Sequence, residues 1–180
     1  ATTHAAIHRY TYPDHAENRF IKLDLEFGLD DDMRHCECQR VNENLITGYR
    51  YSEGFANQHY VYFAIRFSEP FEMEQMKRET ATWCMTFPQK KQPILVKVGI
   101  SPISVANAIQ NLDEEITDWN FERVANEAQK AWDEQLGKVI IEGGTAEQRT
   151  NFYTALYHTL IAPNLLSDVG ERPFYSTLSL

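Results

Sequence analysis

The 180-residue chain is acidic and otherwise of ordinary globular composition, and these properties exclude several classes of protein. It holds 17 Lys and Arg residues against 26 Asp and Glu, which gives a net charge of −9. Nucleic acid and anionic membranes favour basic surfaces, so neither is expected as a partner. No apolar run is long enough to span a membrane, and no basic-then-apolar signal opens the chain. The first residues, ATTHAA, lead us to expect that this sequence begins inside a longer protein.

Alternating apolar and polar residues predict strands over most of the first hundred positions. The clearest strand covers residues 59–68, and its residues on one face are Val61, Phe63, Ile65 and Phe67. Burying one such side chain contributes roughly 1.5–3 kcal/mol, so we expect this face of the strand to pack in the hydrophobic core. Further strands are predicted at 21–27, 34–41, 45–52, 82–87 and 94–100. Short strands with regular turn signals favour an antiparallel β-sandwich over a parallel sheet.

The three cysteines predict neither a disulfide framework nor a zinc site. Cys36 and Cys38 are two residues apart in a predicted strand, so they point to the same face and are poorly placed for a bridge. Only Cys84 lies elsewhere, which leaves too few thiolates for a four-cysteine zinc site. We therefore expect small buried or half-buried side chains without redox or metal chemistry.

Helical patterns replace strand patterns after Pro102. Ser104 is placed to cap a first helix that runs to Leu112. A second helix opens at 118–120 and carries an apolar stripe from Phe121 to Leu136, with charged residues on its other face. These two helices are interpreted as a linker between the sandwich and a second domain.

The third helix has the best-defined start. Thr145 and Gln148 form a capping box after two glycines, and Pro163 marks the end of the helical pattern. Apolar and aromatic residues occur on more than one face, so we expect this helix to be covered on most sides, by neighbours that the other helices of this sequence cannot fully supply. Strands followed by helices indicate separate domains. The predicted division is 1–100 β-sandwich, 101–142 linker helices and 143–180 the start of a second domain.

Several segments together carry a resemblance to a known family. They are TAEQRTNFYTALYHTLIAPNLLSDV, VGISPISVANAIQNL and KVIIEGG in the helical half, with HRYTYP, TGYR and YSTLSL elsewhere. The chain resembles the calcium-dependent exo-α-mannosidases of glycoside hydrolase family 92, most specifically in its helical half. The pattern departs at VGERP, after Asp168, where relatives have a longer glycine-rich and basic loop.

The resemblance implies a fold and an activity. The fold would be a sandwich of the galactose-mutarotase-like (supersandwich) type, linker helices and the first helix of an α/α toroid. The activity would be inverting, calcium-assisted removal of terminal α-linked mannose from glycans. The acid, the base and the calcium site would lie later in the toroid domain, so this piece alone is expected to be inactive. The protein would be secreted, periplasmic or on a bacterial cell surface.

Four residues are candidates for substrate binding. His8 and Arg9 lie on or near a strand, where Arg9 offers a fork of donors to a sugar; the alternative is that Arg9 pairs with a carboxylate or holds a domain interface. Asn164 and Asp168 follow the end of the third helix, in the kind of loop that often carries function. The alternative for both is that they shape the turn.

Two other features allow two interpretations each. The face that carries Tyr60, Tyr62 and Arg66 either binds carbohydrate or has a structural role. In the structural role it is the outer face of the sheet or is covered by linker helices. His158 is either a catalytic or metal-binding residue or a core histidine bonded to a carbonyl or hydroxyl.

Three functions therefore remain open. The first is the N-terminal part of an exo-α-mannosidase, whose partners are mannose-containing glycans and the remainder of its own catalytic domain. The second is a non-catalytic carbohydrate-binding sandwich. The third is a structural or interaction module that docks through the third helix.

Overall fold

A computed structural model describes residues 1–54, 58–77, 80–162 and 167–170. Within them the chain forms eight strands followed by three helices. The strands are β1 (Ala5–Tyr10), β2 (Arg19–Asp24), β3 (Asp31–Arg40), β4 (Leu45–Gly54), β5 (His59–Phe67), β6 (Glu72–Gln75), β7 (Thr82–Phe87) and β8 (Ile94–Ser101). The helices are α1 (Val105–Glu115), α2 (Phe121–Leu136) and α3 (Ala146–Thr159).

The strands form two antiparallel sheets that pack against each other. One sheet has the order β1-β8-β5-β4-β3 and the other β2-β7-β6. The core between them takes side chains from both, including Ile46, Phe63 and Phe67 from the larger sheet and Met85 and Phe87 from the smaller. Alternation along each strand delivers these residues to one face. The predicted antiparallel β-sandwich is confirmed.

One strong ionic contact closes the end of the sandwich. Arg19 is only 1% exposed, and its guanidinium donates to Glu69 at 2.6 Å and to the backbone carbonyls of Pro88 and Gln92 at 2.5 and 2.9 Å. A buried charge is costly unless it is paired, and these three acceptors stabilise the guanidinium in the core although its Nε has no partner there.

The first helix lies on the outer face of the larger sheet. Ala108 and Leu112 are fully buried against Leu45 and Ala64. Gly99 of β8 permits this close approach, since a Cβ there would overlap the Ala108 carbonyl oxygen and lie 2.6 Å from the Leu112 Cβ. Covering by a linker helix, one of the two interpretations of this face, is therefore confirmed around Ala64.

The link between α1 and α2 is fixed by a buried lysine. Lys97 is 3% exposed, donates from Nζ to the Ile116 carbonyl at 2.7 Å and lies 4.5 Å from the Trp119 ring centre. Burial lowers the pKa of this ammonium group. Nearby, Ile116 and Val124 pack on β1, which places the start of α2 against the edge strand.

The last helix is capped as predicted and has little cover among the described residues. The capping box of Thr145 and Gln148 is present, but the helix has no buried residue. Its side-chain packing is chiefly against α2, as in the Trp132–Tyr157 ring contact at 4.6 Å. One neighbouring helix covers only one face, so the apolar surface of α3 stays exposed within the described residues, as expected if its other neighbours are not among them. That further helices cover α3 on most sides stays a prediction. His158 is exposed and is therefore not a core histidine here.

Other differences are smaller. The strand β6 was not predicted, because three of its four residues are polar and it contributes only Met73 to the core. The strand β3 begins three residues before its predicted start, and β2 lies at Arg19–Asp24 instead of 21–27. The strands β4 and β8 and the helix α1 end one to three residues after their predicted ends. No described helix has the length and apolar character needed to cross a membrane.

We expect Gly99→Ala to lower the free energy of unfolding by roughly 1–3 kcal/mol, because the added methyl group forces α1 away from the sheet. Urea denaturation measures the change. Ile100→Val at the next position, which is 47% exposed, is the matched control and should change stability by less than about 0.5 kcal/mol. Equal stability of Gly99→Ala and the unsubstituted protein would contradict the close packing.

The N-terminal residues are held on the end of α1 by Glu115. Its carboxylate accepts from the Thr2 hydroxyl at 2.6 Å and from the His4 backbone N–H at 2.8 Å, and the His4 Nδ1 lies 2.5 Å away. Burial acts to raise the pKa of Glu115, but these hydrogen bonds outweigh it and leave the pKa below its ordinary value of 4.5.

A lowered carboxyl pKa gives stability that is present above the unfolded-state pKa and lost as the pH falls through the folded-state pKa. We therefore expect Glu115→Gln to be less stable than the unsubstituted protein at pH 7, with the difference shrinking below about pH 4.5. Urea denaturation from pH 7 to pH 3 measures this. Glu114→Gln, on the exposed side of the helix, is the control, and a pH-independent difference for Glu115→Gln would refute the expectation.

Candidate functional site

The predicted pair on β1 points in two directions. His8 is exposed and stacks on Tyr10, with ring centres 6.0 Å apart. The Arg9 guanidinium donates to Glu122 at 2.5 Å and lies 4.2 Å from the centre of the Phe121 ring. Arg9 therefore joins the edge strand to α2. This geometry matches the alternative interpretation of Arg9, pairing with a carboxylate, and leaves a sugar-binding role for His8 and Arg9 as a prediction.

The carboxylate of Asp168 lies in a buried polar cluster at the other end of the larger sheet. Its Oδ2 accepts from the Ser101 hydroxyl at 2.7 Å and from Asn107 Nδ2 at 2.9 Å. Its Oδ1 accepts from Asn111 Nδ2 at 2.6 Å. Asp168 is 4% exposed and Asn111 is fully buried. We call these four residues, Ser101, Asn107, Asn111 and Asp168, the Asp168 anchor.

Local structure fixes each donor of the Asp168 anchor. Ser101 ends β8, and its Oγ also accepts from the Ile103 and Ser104 backbone N–H groups, which turns the chain into α1. Asn107 and Asn111 are four residues apart on that helix and so share a face. Both the amide nitrogen and the amide oxygen of Asn111 have further partners. The nitrogen also donates to the Ile100 carbonyl at 2.8 Å, and the oxygen accepts from the Val169 N–H at 3.0 Å.

The electrostatic setting of Asp168 is provided by a helix end. The first turn of α1 contains no acidic residue of its own, and Asn107 lies in that turn. A carboxylate placed beside the N-terminal turn is favoured by the helix dipole. Hydrogen bonds to a charged group contribute about 1.5–3 kcal/mol each when both partners are buried. The anchor thus offsets the cost of burying Asp168 without a cationic partner.

The predicted site residues are not brought together. Arg9 pairs with Leu95 on β8, whereas Ser101 lies six residues further along the same strand, about 20 Å away. Asn164 lies outside the described residues. A sugar-binding role for Asp168 and Asn164 stays a prediction, and both carboxylate oxygens of Asp168 already have protein donors.

Sequence reasoning missed three of the four anchor residues. The available signal was Asn111, a polar residue beside Leu112 on the side of α1 that also carries Ala108. An asparagine at a buried helix position needs partners for its amide group, and Asn107 one turn earlier extends the same polar line. The partner could not be found this way, because Asp168 is 57 residues further along the chain.

A row of tyrosines covers the part of the outer sheet face that α1 leaves open. Tyr51 and Tyr60 stack with ring centres 4.6 Å apart, and Tyr60 and Tyr62 are nearly parallel at 5.9 Å. Tyr49 meets Tyr62 at 5.7 Å and shares a hydrogen bond with His35 at 2.8 Å. A flat row of phenol rings with polar edges is suited to the C–H faces of sugars as well as to packing. We call these four tyrosines the tyrosine face.

Metal and thiol chemistry find little support in the part of the chain that the structure describes. No group of three or more His, Cys, Asp or Glu residues is arranged there to hold a metal ion. The three donors that point at Asp168 would also oppose a cation at that carboxylate. The three cysteines are free, and burial raises the pKa of the Cys38 thiol to about 12, so it stays protonated near neutral pH.

Comparison with known proteins places the chain in a family. The model of the glycosyl hydrolase family 92 N-terminal domain matches residues 1–101, more than half of the chain, and that of the family's catalytic domain matches residues 107–179. The chain belongs to glycosyl hydrolase family 92. Ser101 ends the first match, whereas the other three members of the Asp168 anchor lie within the second. The predicted boundaries at 100/101 and 142/143 stay predictions.

Solved family 92 structures share the fold. An α-mannosidase from Bacteroides thetaiotaomicron is 25% identical, with a TM-score of 0.83 over 93% of this chain. An inverting mannosidase from the same organism is 25% identical, with a TM-score of 0.77 over 98%. A family 92 glycosyl hydrolase, ccman5, shares the fold at 22% identity and a TM-score of 0.83. This chain spans about a quarter of each structure.

A similar protein is also found by sequence alone. An uncharacterized secreted glycosidase from Arthroderma benhamiae is 35% identical over 89 residues, which is 47% of this chain and 11% of that protein. The comparisons therefore agree on a glycosidase family, with a β-sandwich followed by helices.

We expect Arg9→Met to lower the free energy of unfolding by less than about 1 kcal/mol, because Arg9 and Glu122 are 40% and 65% exposed and solvent screens their pairing. Urea denaturation measures the change. Arg34→Met on β3, an exposed arginine paired with Glu53, is the control and should change stability by a similarly small amount. A loss of more than about 2 kcal/mol in Arg9→Met alone would contradict a solvent-screened pair.

Proposed function

We propose that this chain is the N-terminal part of an inverting exo-α-mannosidase that removes terminal α-linked mannose from glycans. The observation that carries the proposal is structural similarity over nearly the whole chain to two family 92 mannosidases at 25% identity. One of them is described as an inverting mannosidase, and its likeness covers 98% of this chain. The order of sandwich and helices is the same as in those proteins.

The acid and base are proposed to lie outside the described residues. Inverting cleavage uses two carboxyl groups roughly 6.5–9.5 Å apart, one to protonate the leaving oxygen and one to activate water. The most enclosed carboxylates described are already engaged by the protein. Asp168 has its three donors, Glu69 pairs with Arg19 and Lys90, and Glu115 holds Thr2 and His4. None of the three is left free for proton transfer to a glycan.

The same reasoning applies to calcium. Calcium prefers six to eight oxygen ligands, several of them carboxylates. The described residues do not fit such a site, because they contain no suitable group of carboxylates and the buried carboxylate of Asp168 is already bound by nitrogen and hydroxyl donors. We propose that a calcium ion assists the complete enzyme through ligands in other parts of the protein.

The exposed apolar surface of α3 supports a larger catalytic domain as the partner of this segment. Phe152, Tyr157, Leu160 and Ile161 are 38–50% exposed. A helix with apolar residues on several faces is normally enclosed by other helices. We propose that further helices of the same protein, arranged as an α/α toroid, cover this surface. A secreted, periplasmic or cell-surface location is proposed from the likeness to a secreted glycosidase.

A second candidate function, a non-catalytic carbohydrate-binding sandwich, is favoured by the tyrosine face. Its rings form a stacked row next to the hydrogen-bonding groups of His35 and Glu53. Saturable binding of mannobiose by a protein that never cleaves it would support this candidate.

We expect the 180-residue chain alone to release no product from an aryl α-mannoside, because the acid and base are proposed to lie elsewhere. We expect the complete protein to cleave it and to lose activity when calcium is chelated. Proton NMR of the first product should show β-mannose, the inverted anomer. An aryl β-mannoside is the control substrate. Turnover by the chain alone, or α-mannose as the first product, would contradict the proposal.

A further inference from the structure

We propose that the Asp168 anchor fixes residues 167–170, which follow α3, on α1 and the end of β8, and that Asp168 is a positioning residue which does not bind sugar. The link to catalysis rests on the proposed function, whereas the contact itself rests on the geometry of the described residues.

The anchor spans a long stretch of chain. Asp168 lies 67, 61 and 57 residues after Ser101, Asn107 and Asn111, with α2 and α3 between them. Within the described residues, all hydrogen bonds between the segment 146–170 and the first 115 residues come from Asp168 and Val169. The body of α3 packs on α2 instead. The anchor is therefore the point at which this segment returns to the sandwich.

The hydrogen bonding of the Asp168 carboxylate is complete without a bound ligand. Three protein donors serve the two oxygens of Asp168, and the carboxylate is almost fully enclosed. A sugar hydroxyl would have to displace one of these donors and leave a buried amide or hydroxyl group unpaired, which is costly. The backbone takes part as well, since the Val169 N–H donates to Asn111. The side chain and the following amide are thus held by the same helix.

The chemistry of the anchor is also selective for a carboxylate. Every group that faces the Asp168 oxygens is a donor. Asparagine at position 168 would direct an N–H at one of those donors, so Asp168→Asn should weaken the anchor although it is nearly the same size. This substitution therefore tests the hydrogen bonding and leaves the packing volume unchanged.

The test measures hydrogen exchange of the Val169 amide in the complete protein. We expect Asp168→Asn to speed this exchange by about tenfold or more, while amides of the β5–β8 ladder keep their rates. Asn107→Ala, which removes one of three donors, should give a smaller increase and serves if Asp168→Asn does not fold. Asp113→Asn is the matched control. It also replaces one aspartate by asparagine, but on α1 and in an exposed pair with Arg66, so the exchange rate of the Val169 amide should not change.

Kinetics on an aryl α-mannoside separate positioning from sugar binding. A positioning residue predicts that kcat/KM falls in Asp168→Asn and, to a smaller extent, in Asn107→Ala, in parallel with the faster exchange. A raised KM in Asp168→Asn with unchanged Val169 exchange would overturn the proposal in favour of a sugar-binding Asp168. Unchanged exchange in both variants would overturn it outright. If the complete protein shows no mannosidase activity, the proposed function fails, and the exchange measurement still decides the role of the anchor.

Discussion

The close approach of α1 to the larger sheet is the constraint on which the helical half depends. Gly99 removes the side chain that would hold the helix away, and Ala108 and Leu112 fill the contact. This packing places the first turn of α1 beside the end of β8. As a result Ser101, Asn107 and Asn111 point into one small volume, where a single carboxylate can meet all of them. The later chain can attach there only because the helix lies so near.

Two kinds of polar contact tie the helices to the sandwich, and they differ in strength. Arg9 and Glu122 form an exposed ion pair that solvent and salt screen. The Asp168 anchor is buried, so its hydrogen bonds act in a low local dielectric and salt screens them less. The attachment of α2 is therefore carried mainly by the apolar packing of Ile116 and Val124, whereas the segment around Asp168 is held mainly by hydrogen bonds.

The sequence predicted well what local pattern controls. Alternation along 59–68 and the capping box at Thr145 follow from neighbours a few residues apart, and both are present in the structure. It predicted poorly what distant residues control. The partners of Asp168 lie about 60 residues earlier, beyond the reach of any local pattern. Arg9 shows the same limit, since its pattern allowed both a sugar and a carboxylate as partner, and only the structure shows that Glu122 lies within hydrogen-bonding distance of it.

The Asp168 anchor also bears on how such a protein can be divided. The family's two domain models meet between residues 101 and 107, yet the helix that follows is packed onto the sandwich and shares its last strand's hydrogen bonds. A chimera that joins the sandwich of one relative to the helices of another at that point would separate Ser101 from the amides that complete its cluster. The unit that can be exchanged intact therefore includes α1 and the segment around Asp168, and it is larger than the unit that sequence comparison delimits.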